Sequence, residues 1–301
     1  MTAVAMVHTT QSQSGQSRQS RLAFHAAWGL SVAVFSTIGW MALGPDDPLG
    51  AVSLLSRRDV WVAAAQAASL ATVVSAIGAA LAGRMAADVG AFAVCIGLTI
   101  MSFQGSNMTQ VLMERGGTPT VCLLLAAESL FWCLIAVWCL FVSGMVVRWL
   151  GLTESAVSPA PGCDPEDLDD RVARRREVGH VIIVAALTLV LVRVFMAGSG
   201  DRAIRHGQAC FAVGAAFYLA VGRAQAFVPV RSAIWSWSAV PIVCIAAFVM
   251  SWAASSPTVL DNGLVTVPRS AFLRILPITY AAAGTAAVLL ARWRTVPHSD
   301  G

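Results

Sequence analysis

Eight long stretches of the chain contain almost no charged residues, and short polar segments separate them. The stretches are residues 22–44, 60–83, 89–113, 121–147, 181–198, 208–222, 232–260 and 275–291. Only Glu128 and Arg193 place a charge inside them. Most stretches approach the roughly 20 residues with which a helix crosses a bilayer core. The pattern therefore predicts an all-α protein, a polytopic integral membrane bundle of about eight transmembrane helices.

The polar segments between the stretches predict how the chain is organised. We expect transmembrane helices 1–4 within residues 22–150 and helices 5–8 within residues 180–293, joined by a cytoplasmic loop at residues 151–179. We expect a disordered cytoplasmic tail at residues 1–21 and a second cytoplasmic tail at residues 294–301. In the loop, Asp164, Glu166 and Asp167 precede the arginines of 171–176, which is the order that a helix dipole favours. The loop is therefore expected to contain a short charged helix.

Composition and charge placement indicate a membrane protein and its orientation. Hydrophobic residues make up 57% of the chain and charged residues 12%, against about 25% charged residues in a soluble domain. All 20 basic residues are arginine, which favours a GC-rich bacterial genome. With the termini inside, cytoplasmic segments hold twelve arginines and external loops six. The positive-inside rule thus predicts that both termini lie in the cytoplasm, and with the arginine usage this indicates a bacterial inner-membrane protein. The same rule explains the positions of the arginines, so nucleic-acid binding is not predicted.

Signatures of enzymatic and metal chemistry are poorly represented. The seven cysteines include no C-x-x-C pair, so neither a metal site nor a disulfide framework is predicted. The chain has no H-E-x-x-H or G-x-S-x-G motif and no Asp inside an uncharged stretch. Ser199, Asp201 and His206 share one short external loop, but closeness in sequence does not give triad geometry. We therefore predict neither catalytic residues nor a cofactor.

Two histidines leave one redox alternative open. His25 and His180 fall near the predicted cytoplasmic ends of the first and fifth stretches. Because both would lie at one membrane face, they are geometrically conceivable as axial ligands of a haem. This alternative is weak, since a histidine at the edge of a span usually meets the interface.

Polar side chains inside the stretches are the main candidates for function, because a polar group in lipid needs a partner or water. By helical rise, Glu128 lies roughly 10 Å and Arg193 roughly 8 Å below the external ends of their helices. Gln66 and Gln104 fall at a similar depth. The four residues are interpreted as an intramembrane polar cluster, which either lines a cavity open to the outside or includes a structural Glu128–Arg193 pair.

The sequence also leaves an internal duplication open. Residues 98–99 and 187–188 both read Leu-Thr, and residues 105–106 and 198–199 both read Gly-Ser. The two offsets differ, so a duplicated helical hairpin is a hypothesis only.

The leading functional hypothesis is a non-enzymatic bundle in the lipid bilayer. It would work either as a small transporter-like protein or as an accessory subunit of a membrane complex or homo-oligomer. The rival class is a membrane-embedded enzyme or a haem-binding redox subunit. The absence of catalytic motifs favours the first class.

Overall fold

The computed structural model describes residues 20–47, 50–83, 85–106, 108–115, 118–152, 170–197, 206–230, 232–254, 259–261, 265–267 and 270–295. Within these residues lie the helices α1 Ser20–Leu43, α2 Val60–Ala82, α3 Val89–Met101, α4 Met108–Glu114, α5 Pro119–Trp149, α6 Asp170–Ala197, α7 His206–Phe227, α8 Ala233–Ala253 and α9 Pro277–Thr295. Short 3-10 segments occupy Leu54–Ser56, Ser102–Gln104 and Ala271–Arg274. The strands β1 Val259–Asp261 and β2 Val265–Val267 form a small antiparallel hairpin.

The predicted all-α membrane fold is confirmed. Among the described helices, six are long and apolar enough to cross a membrane, namely α1, α2, α5, α6, α7 and α8. Such stretches become helical because lipid offers their backbone groups no hydrogen-bond partner. The segment Val89–Gln104, which joins α3 to its 3-10 extension, is apolar but shorter. Together with α9, these helices correspond to the eight predicted stretches.

The third and seventh stretches were predicted too long. The third helix ends at Met101, and the chain passes through a 3-10 turn and an extended Gly105 before the separate α4 begins. α8 ends at Ala253, and Leu260 lies in β1. Both uncharged stretches extend past the ends of their helices, because the segments that follow α3 and α8 carry no charged residue. A search for charges therefore does not detect where these helices end.

The break after α3 also bears on the proposed duplication. α3 is 13 residues long, whereas α6 continues for 28 residues from Asp170. The two hairpins therefore differ in shape, which does not favour a duplication. The first ten residues of α6 belong to the predicted cytoplasmic loop, and the rest of that loop from 153 to 169 lies outside the described residues.

The core of the bundle is built around α9 and α3. Every residue of α9 from Pro277 to Leu289 is buried, and the helix packs against α3, α5, α7 and α8. α3 packs in turn against α1, α2 and α5. Because protein surrounds α9 and not lipid, small residues such as Ala, Gly and Thr suit it better than large apolar ones.

The bundle has two distinct ends. Phe24 of α1 contacts Trp293 of α9 and stacks on Phe92 of α3, so both described chain ends lie on one side, here called the terminal face. On the opposite side, the described residues of 44–59 and 105–115 and the 3-10 segment Ala271–Arg274 form a folded cap. A parallel bridge between Ala51 and Ser106 joins its first two parts.

Candidate functional site

Glu128 lies buried in α5 beneath the cap, with 5% of its surface exposed. The hydroxyl of Ser53 donates to its Oε2 atom at 2.6 Å, and the backbone N–H of Leu54 donates to Oε1 at 2.9 Å. Trp132, one turn further along α5, donates its indole N–H to Oε1 at 3.1 Å. The carboxyl group therefore accepts hydrogen bonds from both the cap and its own helix.

The local sequence of the cap explains why it can reach Glu128. Ser53 is the N-cap of the 3-10 segment, and its hydroxyl accepts a hydrogen bond from the N–H of Leu55 at 3.2 Å. The first turn of such a segment leaves backbone N–H groups without internal partners. The side chain of Glu128 satisfies one of these groups, at Leu54, inside a protein environment where an unpaired group is costly.

Further polar contacts hold the parts of the cap together. Arg57 forms an ion pair of 3.2 Å with Asp46, and the hydroxyl of Ser56 donates to Glu114 of α4 at 3.0 Å. Arg115 donates to the carbonyl of Leu55. The cap is thus a compact structure whose deepest anchor is Glu128.

The structure does not form the predicted pair between Glu128 and Arg193. Arg193 is exposed on α6, and among the described residues it has no carboxylate within ion-pair distance. α6 packs mainly against α7 and α8, whereas α5 packs against α2, α3, α8 and α9. The two residues were matched in depth along the membrane normal, but their helices point them in different directions around the bundle.

Gln66 and Gln104 do not join Glu128 either. Gln66 lies exposed on the outer surface of α2. The side chain of Gln104 donates to the carbonyl of Ser36 at 3.1 Å, inside the π-helical turn at Phe35–Gly39 of α1. A π-turn shifts the hydrogen-bond ladder of a helix by one residue, so carbonyls within it become available to side chains. The structure thus scatters the four residues of the predicted cluster.

The two histidines of the haem alternative have unrelated surroundings. His180 is buried, with Nδ1 2.9 Å from the carbonyl of Val228 and Nε2 2.9 Å from the hydroxyl of Ser236. A carbonyl only accepts, so Nδ1 carries a proton and Nε2 accepts from the hydroxyl in the neutral ring. His25 is exposed and accepts at Nδ1 from the indole of Trp28. Both nitrogens of His180 are engaged, and the pair does not fit a shared haem.

A second polar network on the terminal face was not predicted. Asp88, just before α3, accepts a hydrogen bond of 3.0 Å from the indole of Trp293. Burial raises the pKa of the Asp88 carboxyl, although this hydrogen bond and the charge of Arg292 act in the opposite direction. Arg292 donates to the carbonyl of Val230 at 2.8 Å. The sequence places Asp88 directly before an apolar helix, which could have indicated a functional or structural role for this residue. Its partner Trp293 could not be predicted, because it lies 205 positions away.

The described residues contain no group of three or more His, Cys, Asp or Glu side chains placed to hold a metal ion. The six described cysteines are all unpaired thiols. Ser199 and Asp201 of the predicted external loop lie outside the described residues. When the chain is compared with known protein families, with curated proteins and with solved structures, nothing matches it.

Proposed function

We propose that the protein is a non-enzymatic accessory subunit of a membrane complex, and that α2 carries the face that contacts the partner. The observation that carries this proposal is the position of Gln66. Its amide is exposed on a helix that is long and apolar enough to cross a membrane. A polar group at such a position is poorly suited to lipid and well suited to a neighbouring helix.

The depth of Gln66 supports this role. Trp61, at the beginning of α2, is 88% exposed. Tryptophan side chains favour the membrane–water interface, so Trp61 indicates the level of this interface on α2. Gln66 follows five residues later, which places it about 7.5 Å deeper along the helix. The side chain has no hydrogen bond to the described part of the chain. A partner helix that offers a donor or acceptor would satisfy the amide where hydrocarbon cannot.

The residues around Gln66 support close contact with another helix. Ala65 and Ser69 are exposed on the same side of α2, four residues apart. Small residues at this spacing allow the backbones of two membrane helices to approach each other, which strengthens their van der Waals packing. Arg193 is also exposed, but it lies about 6 Å from the end of α6 and its long side chain reaches the interface, so it carries less weight.

An accessory role is favoured over a transport role by the interior of the bundle. A transporter needs a polar path, and Glu128, the acidic residue in the predicted path, is occupied by the cap. Between the helices, the large side chains of Phe217, Phe248 and Tyr280 are completely buried. These rings fill the space around α9 with apolar surface.

Site-specific photocrosslinking in native membranes tests the proposal. A photoreactive amino acid at Ser69 should give a discrete protein adduct, because this position lies within the proposed contact face. The matched control is the same replacement at Ile242, which is 47% exposed at a similar depth on α8. Gln66→Leu should reduce the adduct at position 69. Equal adducts from both positions, or adducts to lipid alone at position 69, would contradict a partner face on α2.

A second arm identifies the kind of partner. Two differently tagged copies of the chain are expressed together and crosslinked at position 69. An adduct that carries both tags assigns the face to a homo-oligomer, which would replace the accessory role by self-association. An adduct with one tag and a distinct membrane protein supports a heteromeric complex.

We also propose that both termini lie in the cytoplasm of a bacterial inner membrane. The basis is the ratio of twelve to six arginines in the flanking segments. Reporter fusions after Ser158 should report the cytoplasm, and fusions after Asn262 should report the exterior. The opposite labelling at both positions would reverse the orientation.

A further inference from the structure

A groove of about 250 Å³ lies between α7 and α9 on the terminal face. Residues from one side of each helix line it, and they include Tyr218, Leu219, Gly222 and Arg223 of α7 and Ala291 and Arg294 of α9. Residues three or four positions apart lie on one face of a helix, which is why these positions meet across a single groove.

The rim of the groove is basic. Arg223 and Arg294 are both exposed, and the guanidinium of Arg294 donates to the hydroxyl of Tyr218 at 3.1 Å. Neither arginine forms an ion pair with a carboxylate in the part of the chain that the structure describes, and the lining contains no acidic residue. Two cationic groups and a hydroxyl therefore surround a space with no internal counter-charge.

The groove continues into an apolar surface that faces lipid. Phe211, Leu219 and Arg223 belong to one row of residues spaced four apart along α7, a row that slants around the helix. Phe211 and Leu219 are 64% and 44% exposed. Gly222 leaves the floor open, since a Cβ atom built there would meet no atom within 4 Å. The site therefore combines a basic end with an adjoining apolar strip that extends into the membrane.

We propose that this groove binds an anionic phospholipid. Its phosphate contacts Arg223 and Arg294, and one acyl chain follows Leu219 and Phe211 along α7. Basic pockets between membrane helices on the cytoplasmic side recognise anionic headgroups in this way. The apolar strip favours a lipid over a soluble phosphate, which would contact only the basic end. This inference goes beyond the proposed subunit role, because it involves a different face of the bundle.

Native mass spectrometry of the full-length protein in mild detergent tests the site, with phosphatidylglycerol, phosphatidylcholine and inorganic phosphate as separate probes. The wild-type protein should retain phosphatidylglycerol in preference to phosphatidylcholine. Arg223→Gln and Arg294→Gln should each weaken that binding about fivefold, as expected for one basic residue at an anionic headgroup. Gly222→Leu should weaken it by filling the floor, without a clash in the helix.

Two controls separate a defined site from general charge or damage to the helix. Arg148→Gln removes an exposed arginine at the end of α5, outside the groove, and should leave binding unchanged. Gly214→Leu introduces the same bulk elsewhere on α7, where a Cβ atom also meets nothing within 4 Å. The proposal would be overturned by equal binding of the two lipids, by an equal loss in the controls, or by inorganic phosphate that displaces phosphatidylglycerol completely.

Discussion

Removal of the Glu128 side chain should detach the cap from the bundle. In Glu128→Ala, the hydroxyl of Ser53, the N–H of Leu54 and the indole of Trp132 lose their common acceptor. A buried hydrogen bond to a charged group is worth about 1.5–3 kcal/mol. Because Ser53 can turn to another acceptor and water can enter beneath the cap, we expect a total loss of about 3–5 kcal/mol and not the full sum.

Two measurements check this expectation in detergent. Equilibrium unfolding gives the change in stability, and hydrogen exchange at Leu54 reports whether the cap opens locally. Glu128→Gln keeps one acceptor oxygen and should cost about 1–2 kcal/mol. The matched control is Glu114→Gln in α4, an exposed carboxyl that should change stability by about 0.5 kcal/mol or less. The reasoning is refuted if Glu128→Ala behaves like this control and exchange at Leu54 stays slow.

Three further predictions follow from the packing and charge of the described residues. A double-mutant cycle of Glu128→Gln and Arg193→Gln should give a coupling below about 0.5 kcal/mol, because the two side chains are not in contact; a larger value would contradict their separation. Gly90→Ala should destabilise the protein by about 1–3 kcal/mol in the unfolding assay, because the added Cβ atom would press on α2 and lie 2.9 Å from a serine hydroxyl. Gly144→Ala is the control: a Cβ atom there meets nothing within 4 Å, so this substitution should be neutral or stabilising in the same assay. Burial raises the pKa of the Asp88 carboxyl in the folded protein. The protonated carboxyl therefore contributes to stability below the pKa that Asp88 has in the unfolded chain, and this contribution is lost as the pH rises through the pKa that it has in the folded protein. Asp88→Asn should therefore gain in Tm relative to wild type as the pH rises above the ordinary Asp pKa of about 4, and an unchanged difference would exclude this titration.

The sequence predicted most helices because a membrane span has a strong one-dimensional signal. The uncharged stretch at 60–83, for example, differs from α2 by a single residue at its end. The cap was not predicted, since its segments contain neither a long apolar run nor a regular period. Ser53 and Glu128 lie 75 positions apart, and only the folded backbone between α1 and α2 brings the serine to the carboxyl.

Depth in the membrane can be read from a sequence, but direction around the bundle cannot. Counting residues placed Glu128 and Arg193 at the same level, and nothing in the local sequence said that one faces the interior and the other the outside. Among soluble proteins the more apolar face of a helix points to the core, yet lipid is as apolar as any core. α9 illustrates this point, because it is completely buried from Pro277 to Leu289 and yet is not among the six helices that are long and apolar enough to cross a membrane.

The same ambiguity decides where evidence for function lies in this bundle. Two of its buried polar residues, Glu128 and His180, have their hydrogen-bonding atoms engaged by the protein itself. Gln66, in contrast, is exposed on a helix that can cross the membrane. A polar residue whose partners are internal stabilises the fold whether or not anything binds, whereas one that faces lipid costs free energy until another molecule covers it. The internal contacts thus explain how the cap and the helices hold together, and the surfaces of α2 and α7 are where binding to other molecules should be sought.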